Sequence, residues 1–303
     1  MSNIIFSQID VHKLYGGVVP EIASRNHLSK IDSVVSEALD SAGVTLGKIT
    51  AVAVTAGPGL VGALLVGVSF GKALAYAAAK PLVGVHHIEG HISSVYLNSQ
   101  IKPPFTCLVV SGGHSHLVYV SDYGKYEILR KTRDDAAGEA FDKTARALGL
   151  PYPGGVSIEK LAKDGDSEAI RFPIAMKNEA DFSFSGLKSA VINYINNHAD
   201  YKKEDIAASF QQAVVTALSE KAMSSCLSNN CHKLTLTGGV ASNGALRKRM
   251  QETCGASGIE FYAPEPIFCT DNAAMIASCG YFNFINGKKA GLDLNAFPSG
   301  DLN

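Results

Sequence analysis

Short apolar runs that end in glycine turns alternate with longer helical stretches along almost the whole chain. Ile4-Ile5-Phe6 reads as a strand directly after the first residues, with no targeting peptide ahead of it. Residues 50–55 predict a strand, 60–79 a helix apolar on nearly all sides and therefore buried, and 82–85 a second strand. A short helix follows over 87–97, and Lys102-Pro103-Pro104 reads as a linker. Residues 106–111 and 115–120 predict a hairpin around Gly112-Gly113. A helix over 136–148 has Asp134 and Asp135 as N-cap candidates, and 151–155 reads as a turn. Ser185 caps a helix running to about 197, and a longer helix spans 203–227. Then come a strand at 234–237, a helix at 242–254, a strand at 259–262 and a helix at 271–285. This alternation predicts an α/β fold of sheets flanked by helices. Ligands in such folds sit at the carboxyl ends of strands, where Gly57–Gly59, Gly112-Gly113 and Gly238-Gly239 would lie.

Composition narrows this picture modestly. Of 303 residues, 46% are hydrophobic and 18% charged, enough apolar surface for large cores and against disorder. The net charge of −1 gives no global pull toward nucleic acid or anionic membrane. Six cysteines without a Cys-x-x-Cys pair read as reduced thiols in a cytoplasmic protein. The uncharged run over 51–70 is interrupted by Gly57-Pro58-Gly59, so it reads as strand, turn and helix rather than a membrane span.

Candidate chemistry concentrates in a few motifs. In His87-Ile-Glu-Gly-His91 the histidines stand at i and i+4, on one helical face, within reach of a single metal. Glu89 lies between them on another face, so the pattern is not the His-Glu-x-x-His of a zincin protease. A third ligand is needed, with His86, His114 and a distant carboxylate such as Asp271 as candidates. Two histidines and a carboxylate suit ferrous iron, with zinc the alternative. Gly57-Pro-Gly-Leu-Val-Gly62 matches a dinucleotide fingerprint in form, but no acidic residue follows from Leu60 to Ile88, so its glycines read as packing glycines. Ser111-Gly-Gly-His114 and Thr237-Gly-Gly-Val-Ala-Ser-Asn243 place backbone N–H groups at strand ends, where a phosphate can bind or a plain turn can sit. Asp135, Glu139 and Asp142 share a helical face and could accept hydrogen bonds from a substrate. Lys143 and Arg146 stand ready to pair with Glu139 and Asp142 instead. The short runs Arg247-Lys-Arg249 and Lys131-Thr-Arg133 read as solvated faces rather than phosphate sites.

Taken in order, Tyr15-Gly-Gly-Val-Val-Pro-Glu-Ile-Ala-Ser-Arg25, His87-x-x-x-His91, Val110-Ser-Gly-Gly-His114, Asp135-Ala-Ala-Gly-Glu-Ala-Phe-Asp142, Phe182-Ser-Phe-Ser-Gly-Leu-Lys188, Gly238-Gly-Val-Ala-Ser-Asn243 and Thr270-Asp-Asn-Ala-Ala-Met275 resemble one family over nearly the whole chain. It is the bacterial type of the tRNA N6-adenosine threonylcarbamoyltransferases, once labelled sialoglycoprotein endopeptidases. The resemblance implies a two-lobed α/β fold of the actin, sugar-kinase and Hsp70 type, divided here as 1–103 and 104–303, with the active cleft between lobes. It implies transfer of threonylcarbamoyl from threonylcarbamoyl-AMP to N6 of adenosine 37 in tRNAs reading ANN codons. It makes His87, His91 and Asp271 the catalytic metal ligands, usually for iron. It assigns the adenylate to Val109, Val110, Ser111, Gly112, Gly113, Asp142, Gly155, Glu159 and Asn243, with Glu159 where the family often has aspartate. The implied partners are tRNA, a paralogous subunit, a small ATPase and the enzyme that makes the adenylate, with no membrane. His114 and Asp142 are the candidates for a general base. Family members begin with a strand and a Ser/Thr-rich phosphate hairpin ahead of the segment seen here, so the resemblance implies an incomplete first lobe.

Three rival readings follow. An ATPase or kinase of the same fold would want the acidic first-lobe hairpin. A truncated, non-catalytic paralogue serving as a partner subunit would have little reason to keep the His87/His91/Asp271 set. A protease would want the zincin motif.

Overall fold

The computed structural model describes residues 2–174 and 181–302. In chain order its elements are α1 (Ile9–Lys13), α2 (Pro20–Ala42), β1 (Val52–Gly57), α3 (Val61–Ala77), β2 (Leu82–His86), α4 (His87–Ser93), β3 (Phe105–Val110), β4 (Ser115–Asp122), β5 (Lys125–Lys131), α5 (Ala137–Ala147) and α6 (Gly154–Ala162). They continue with α7 (Ser185–Asn197), α8 (Lys203–Ser228), β6 (Lys233–Thr237), α9 (Gly244–Ala256), β7 (Glu260–Tyr262), α10 (Pro266–Cys269) and α11 (Ala273–Ile285). The chain is α/β, in two compact units. Met1–Gln100, Tyr123–Lys125 and Asp271–Asn303 form the first, and Ile101–Asp122 with Tyr126–Thr270 the second. A single division at 103/104 therefore does not describe the chain. Its last segment returns to the first unit because α11 packs its apolar face on Val83 and Val85 of β2.

In the first unit β1 and β2 pair in parallel, from Val52↔Leu82 to Thr55↔Val85. Gly280 of α11 makes the helix–sheet approach close: a Cβ there would stand 2.5 Å from that of Ala53. The helix predicted over 60–79 forms, but it is not buried on all sides. Only Val68, Gly71 and Ala75 are buried, a single stripe, while Val61, Leu65 and Tyr76 are exposed. Ile4-Ile5-Phe6 is not a strand: an apolar run becomes one only when a ladder accepts it, and β1 and β2 pair with each other. The sequence pattern also missed α2, opened by Pro20 and ended by the left-handed Gly43 (φ 62°), because only its Ala23 is buried and no apolar stripe marks it.

In the second unit five strands run in the order β5-β4-β3-β6-β7. β3 and β4 form the predicted antiparallel hairpin, and β3 pairs in parallel with β6 from Thr106↔Leu234 to Val109↔Thr237. Leu108, Val110, Leu234 and Leu236 of these strands share one core with Phe210, Val214 and Leu218 of α8. Phe141 of α5 meets Phe210 edge to face at 5.1 Å. The predicted turn at 151–155 stops short, since Gly154 and Gly155 already open α6. The β3 and β6 carboxyl ends therefore open onto turns braced from behind by a large apolar layer.

Candidate functional site

β2 runs directly into α4. His86 closes the junction, its Nδ1 accepting the Ile88 N–H at 3.2 Å. That role takes His86 out of the set of candidate metal ligands. His87 and His91, one turn apart, bring their ring centroids to 4.6 Å at an interplanar angle of 75°. Asp271, at the entry to α11, places Oδ1 3.5 Å from His87 Nε2 and 3.3 Å from His91 Nε2. The three ligand atoms lie within 4.8 Å of one another, and among the described residues no other such group of three occurs. His114, a further candidate in the sequence, belongs to the second unit.

The environment of this triad fits a cation. His91 is fully buried, and neither of its ring nitrogens makes a hydrogen bond. A buried, unsatisfied imidazole is costly, of order 1–3 kcal/mol, unless something else takes its lone pair. Burial also lowers the His87 pKa, more than Asp271 raises it, with His91 and His86 lowering it further. Neutral imidazole is the form that ligates metal.

The opposite face of α4 fixes the geometry. Glu89 is buried, and its Oε2 accepts from Cys279 Sγ and Asn283 Nδ2 of α11, each at 3.4 Å. Gly90 permits the close approach: a Cβ there would stand 2.7 Å from Ile276 Cδ1. Asn272, next to Asp271, caps α11 by accepting the Met275 N–H at 2.9 Å. Both ligand-bearing elements are thus tied to one helix.

In the second unit the sequence-predicted adenylate residues gather along one connected rim. Ser111 N donates to His114 O at 2.8 Å, closing the turn that carries Gly112 and Gly113, both open to space where a side chain would stand. Gly138, near the start of α5, packs directly on the Ser111 carbonyl and the Gly112 backbone. Asp142 accepts the Gly154 N–H at 2.7 Å, and burial pushes its carboxyl pKa up despite that bond and Arg146. Gly155 faces open space. Glu159 accepts the Gly244 N–H at 2.8 Å. Asn243 caps α9, accepting from Leu246 N at 2.9 Å and donating to Gln211 at 2.8 Å. Val109 and Val110 are fully buried beneath the turn, so they support it rather than line it. Gly238 (φ 93°) presses on the Val110 carbonyl, joining the β6 turn to the β3 turn.

Other motifs resolve into scaffolding. Gly57 leaves room for Phe297, whose N–H bonds Ala56 O at 2.9 Å, so these glycines serve packing. Asp134 does not cap α5. It serves α7, accepting from Phe184 N at 2.8 Å, Ser185 N at 3.2 Å, Ser185 Oγ at 2.7 Å and Ser183 Oγ. The α5 entry is met instead by Ser115 Oγ, which accepts the Ala137 N–H at 3.0 Å. Ser185 is the first residue of α7 and not its cap. Asp135 pairs with Lys188 at 2.7 Å and Lys143 at 3.2 Å, and Lys143 also pairs with Glu139 at 2.6 Å. Arg247 donates to the Ala241 and Pro264 carbonyls, and Arg133 pairs with Asp181 at 2.9 Å. Sequence reasoning missed Gly138 and the Asp134–Ser185 clasp, whose partners lie far apart in the chain.

Known proteins share much of this sequence. A protein of Clostridium botulinum (strain Hall), described as tRNA N6-adenosine threonylcarbamoyltransferase, is 55% identical over 99% of this chain and 90% of its own length. A Clostridium perfringens (strain ATCC 13124) protein of the same description is also 55% identical, again over 99% and 90%. Among solved structures, T. kodakarensis HypF superposes with a TM-score of 0.66 at 14% identity, over 88% of this chain and 44% of that one. The activator of 2-hydroxyisocaproyl-CoA dehydratase from Clostridium difficile gives 0.50 at 16% identity, over 84% and 82%. These last two bear on the fold alone. The family described as tRNA N6-adenosine threonylcarbamoyltransferase matches residues 1–278, and the chain belongs to it.

Proposed function

We propose that this chain transfers the threonylcarbamoyl group from threonylcarbamoyl-AMP to N6 of adenosine 37 in tRNAs reading ANN codons. Family membership over nearly the full length supports the reaction. The observation that carries the site is fully buried His91, its ring nitrogens without hydrogen bonds, facing Asp271 beside His87. His87, His91 and Asp271 would hold a divalent cation, iron by preference of two imidazoles and a carboxylate. Bound there, such a cation supplies Lewis acidity to a carbonyl oxygen. The first unit's own contribution is to hold two imidazoles and a carboxylate in fixed register through Glu89 and α11.

In the second unit the open Gly112-Gly113 turn offers backbone N–H groups to the adenylate phosphate, and Gly155 leaves space beside Asp142 and Glu159. Asp142, which already takes the Gly154 N–H, would also accept a hydrogen bond from a ribose hydroxyl. Orienting the acyl donor is a large part of what such a site contributes to rate. The chain works in the cytoplasm with tRNA and helper proteins: a paralogous subunit, a small ATPase and the enzyme that makes the adenylate. Support for that compartment is its buried free cysteines, and among the described residues no helix is long and apolar enough to cross a membrane.

The test is transfer of labelled threonylcarbamoyl from its adenylate to an unmodified tRNA transcript, by this chain with its helpers, before and after chelation. Transfer that chelation abolishes and iron restores is the expected result. A folded, metal-loaded chain that transfers nothing overturns the reaction; transfer that survives complete metal removal overturns the metal's role.

A further inference from the structure

The proposed reaction uses none of the six cysteines, all of them buried and unpaired. Four have settled neighbours. Cys107 faces Thr237, Cys254 meets Met223, Cys269 lies by Arg247, and Cys279 donates to Glu89. Cys226 and Cys231 differ, because they face each other's surroundings. Cys226 sits in the last turn of α8, and Asn230 (φ 48°) swings the chain back so that Cys231 N–H bonds Cys226 O at 2.9 Å. A bond across that span brings the two Cα atoms to about 5–6 Å, inside the disulfide range of about 4.4–6.8 Å.

The sulfurs converge as well. Cys226 Sγ donates to Cys231 O at 2.8 Å and lies 3.8 Å from Lys233 O. Cys231 Sγ donates to that same Lys233 carbonyl at 3.3 Å. The buried Thr106 hydroxyl of β3 borders both sulfurs and has no regular hydrogen bond of its own. Residues 227–230 above the pair are exposed, Cys231 retains 7% of its surface and Cys226 none.

We propose that Cys226 and Cys231 are a dithiol modification site that hydroperoxides convert reversibly to a disulfide. Cys231 reacts first, being the residue of the pair that keeps some surface exposed. Its thiolate attacks the outer peroxide oxygen, the O–O bond breaks, and the leaving alkoxide or hydroxide takes a proton to become alcohol or water. Cys226 then attacks the Cys231 sulfenic sulfur, the S–O bond breaks, and the hydroxyl leaves as water with the Cys226 proton. Two thiols and one hydroperoxide thus give one disulfide, one water and one alcohol, or two waters from hydrogen peroxide. The neighbouring Cys226 thiol favours the Cys231 thiolate, lowering the Cys231 pKa while that of Cys226 rises in step. Burial pushes the Cys107 thiol to about 11, so it is inert by comparison.

The two thiols lie on one tryptic peptide, 222–233, with no Lys or Arg inside it. The full chain, natively folded and fully reduced, is treated with hydrogen peroxide, quenched, denatured in iodoacetamide and digested. The expected product is peptide 222–233 lighter by two hydrogen atoms and carrying no alkyl group, formed at least ~10-fold faster than any oxidation of Cys107, and restored to a doubly alkylated form by dithiothreitol. Cys231→Ser, close to isosteric, is expected to slow oxidation of Cys226 by a similar factor. Peptide 222–233 that stays doubly alkylated while added glutathione in the same tube is oxidised overturns the proposal. So does a disulfide from Cys226 to Cys254.

Discussion

The first unit presents its chemistry with side chains, the second with main chain. At the triad, His87, His91 and Asp271 aim ligand atoms at a common point, and buried His91 has no hydrogen bond to spend its nitrogens on. Along the rim of the second unit, the polar side chains are already engaged: Asp142 with Gly154, Glu159 with Gly244, Asn243 with Leu246 and Gln211. What stays open there is backbone at Gly112, Gly113 and Gly155. The difference teaches where each site is vulnerable. A side-chain site fails when a ligand is deleted; a backbone site fails when a glycine acquires a Cβ or a cap lets its helix move.

The largest effect is therefore expected at His91. His91→Ala removes one of three ligands from a fully buried position, and transfer should fall by about 100-fold or more with loss of stoichiometric metal. Metal content by elemental analysis, beside the transfer rate, checks it; full metal occupancy in the variant would show that the triad is not the centre. Next comes Gly238→Ala. A left-handed φ of 93° and a collision with the Val110 carbonyl should cost about 2–4 kcal/mol in urea denaturation. Gly155→Ala sharpens the contrast, since open space lies where its Cβ would go. It should leave stability within about 0.5 kcal/mol and raise the KM for the adenylate instead.

How legible each unit was in the sequence follows from the same contrast. An i, i+4 histidine pair declares itself because ligand chemistry needs those residue types at that spacing, though choosing Asp271 over His86 and His114 took the family resemblance. Strands β3 and β6 were legible because they are buried on both faces, and β4 because the Gly112-Gly113 turn folds its apolar run back on β3. α2 was not, since a helix with one buried residue carries no stripe. Nor was the return of α11 to the first unit, which depends on Gly280 meeting Ala53 across more than two hundred residues. Gly138 was invisible for a similar reason: its need for a missing Cβ arises only when Ser111 folds against it.

A smaller effect is expected at Asn243. Asn243→Ala removes the α9 cap and strands the Gln211 carbonyl, for a loss of about 1–2 kcal/mol. Because the same helix end carries the Gly244 N–H held by Glu159, the adenylate KM should rise as well. A variant that loses stability with KM unchanged would separate the rim from the adenylate site.

The smallest effect tests scaffolding alone. Burial pushes the Asp134 carboxyl up, but bonds from Ser183, Ser185 and the N–H groups of Phe184 and Ser185 outweigh it, and its pKa falls below the ordinary 3.8. A carboxyl that titrates lower in the folded state lends stability above its unfolded value, and that stability is lost as the pH falls through the folded one. The clasp should thus be fully present at neutral pH and fade only below pH 3.8. Asp134→Asn keeps an acceptor but loses the charge, so it should lower the melting temperature slightly at pH 7 and flatten the acid limb of stability against pH. An acid limb identical to wild type would mean that α7 is held by its apolar contacts through Leu187 and Val191, with the clasp contributing nothing measurable.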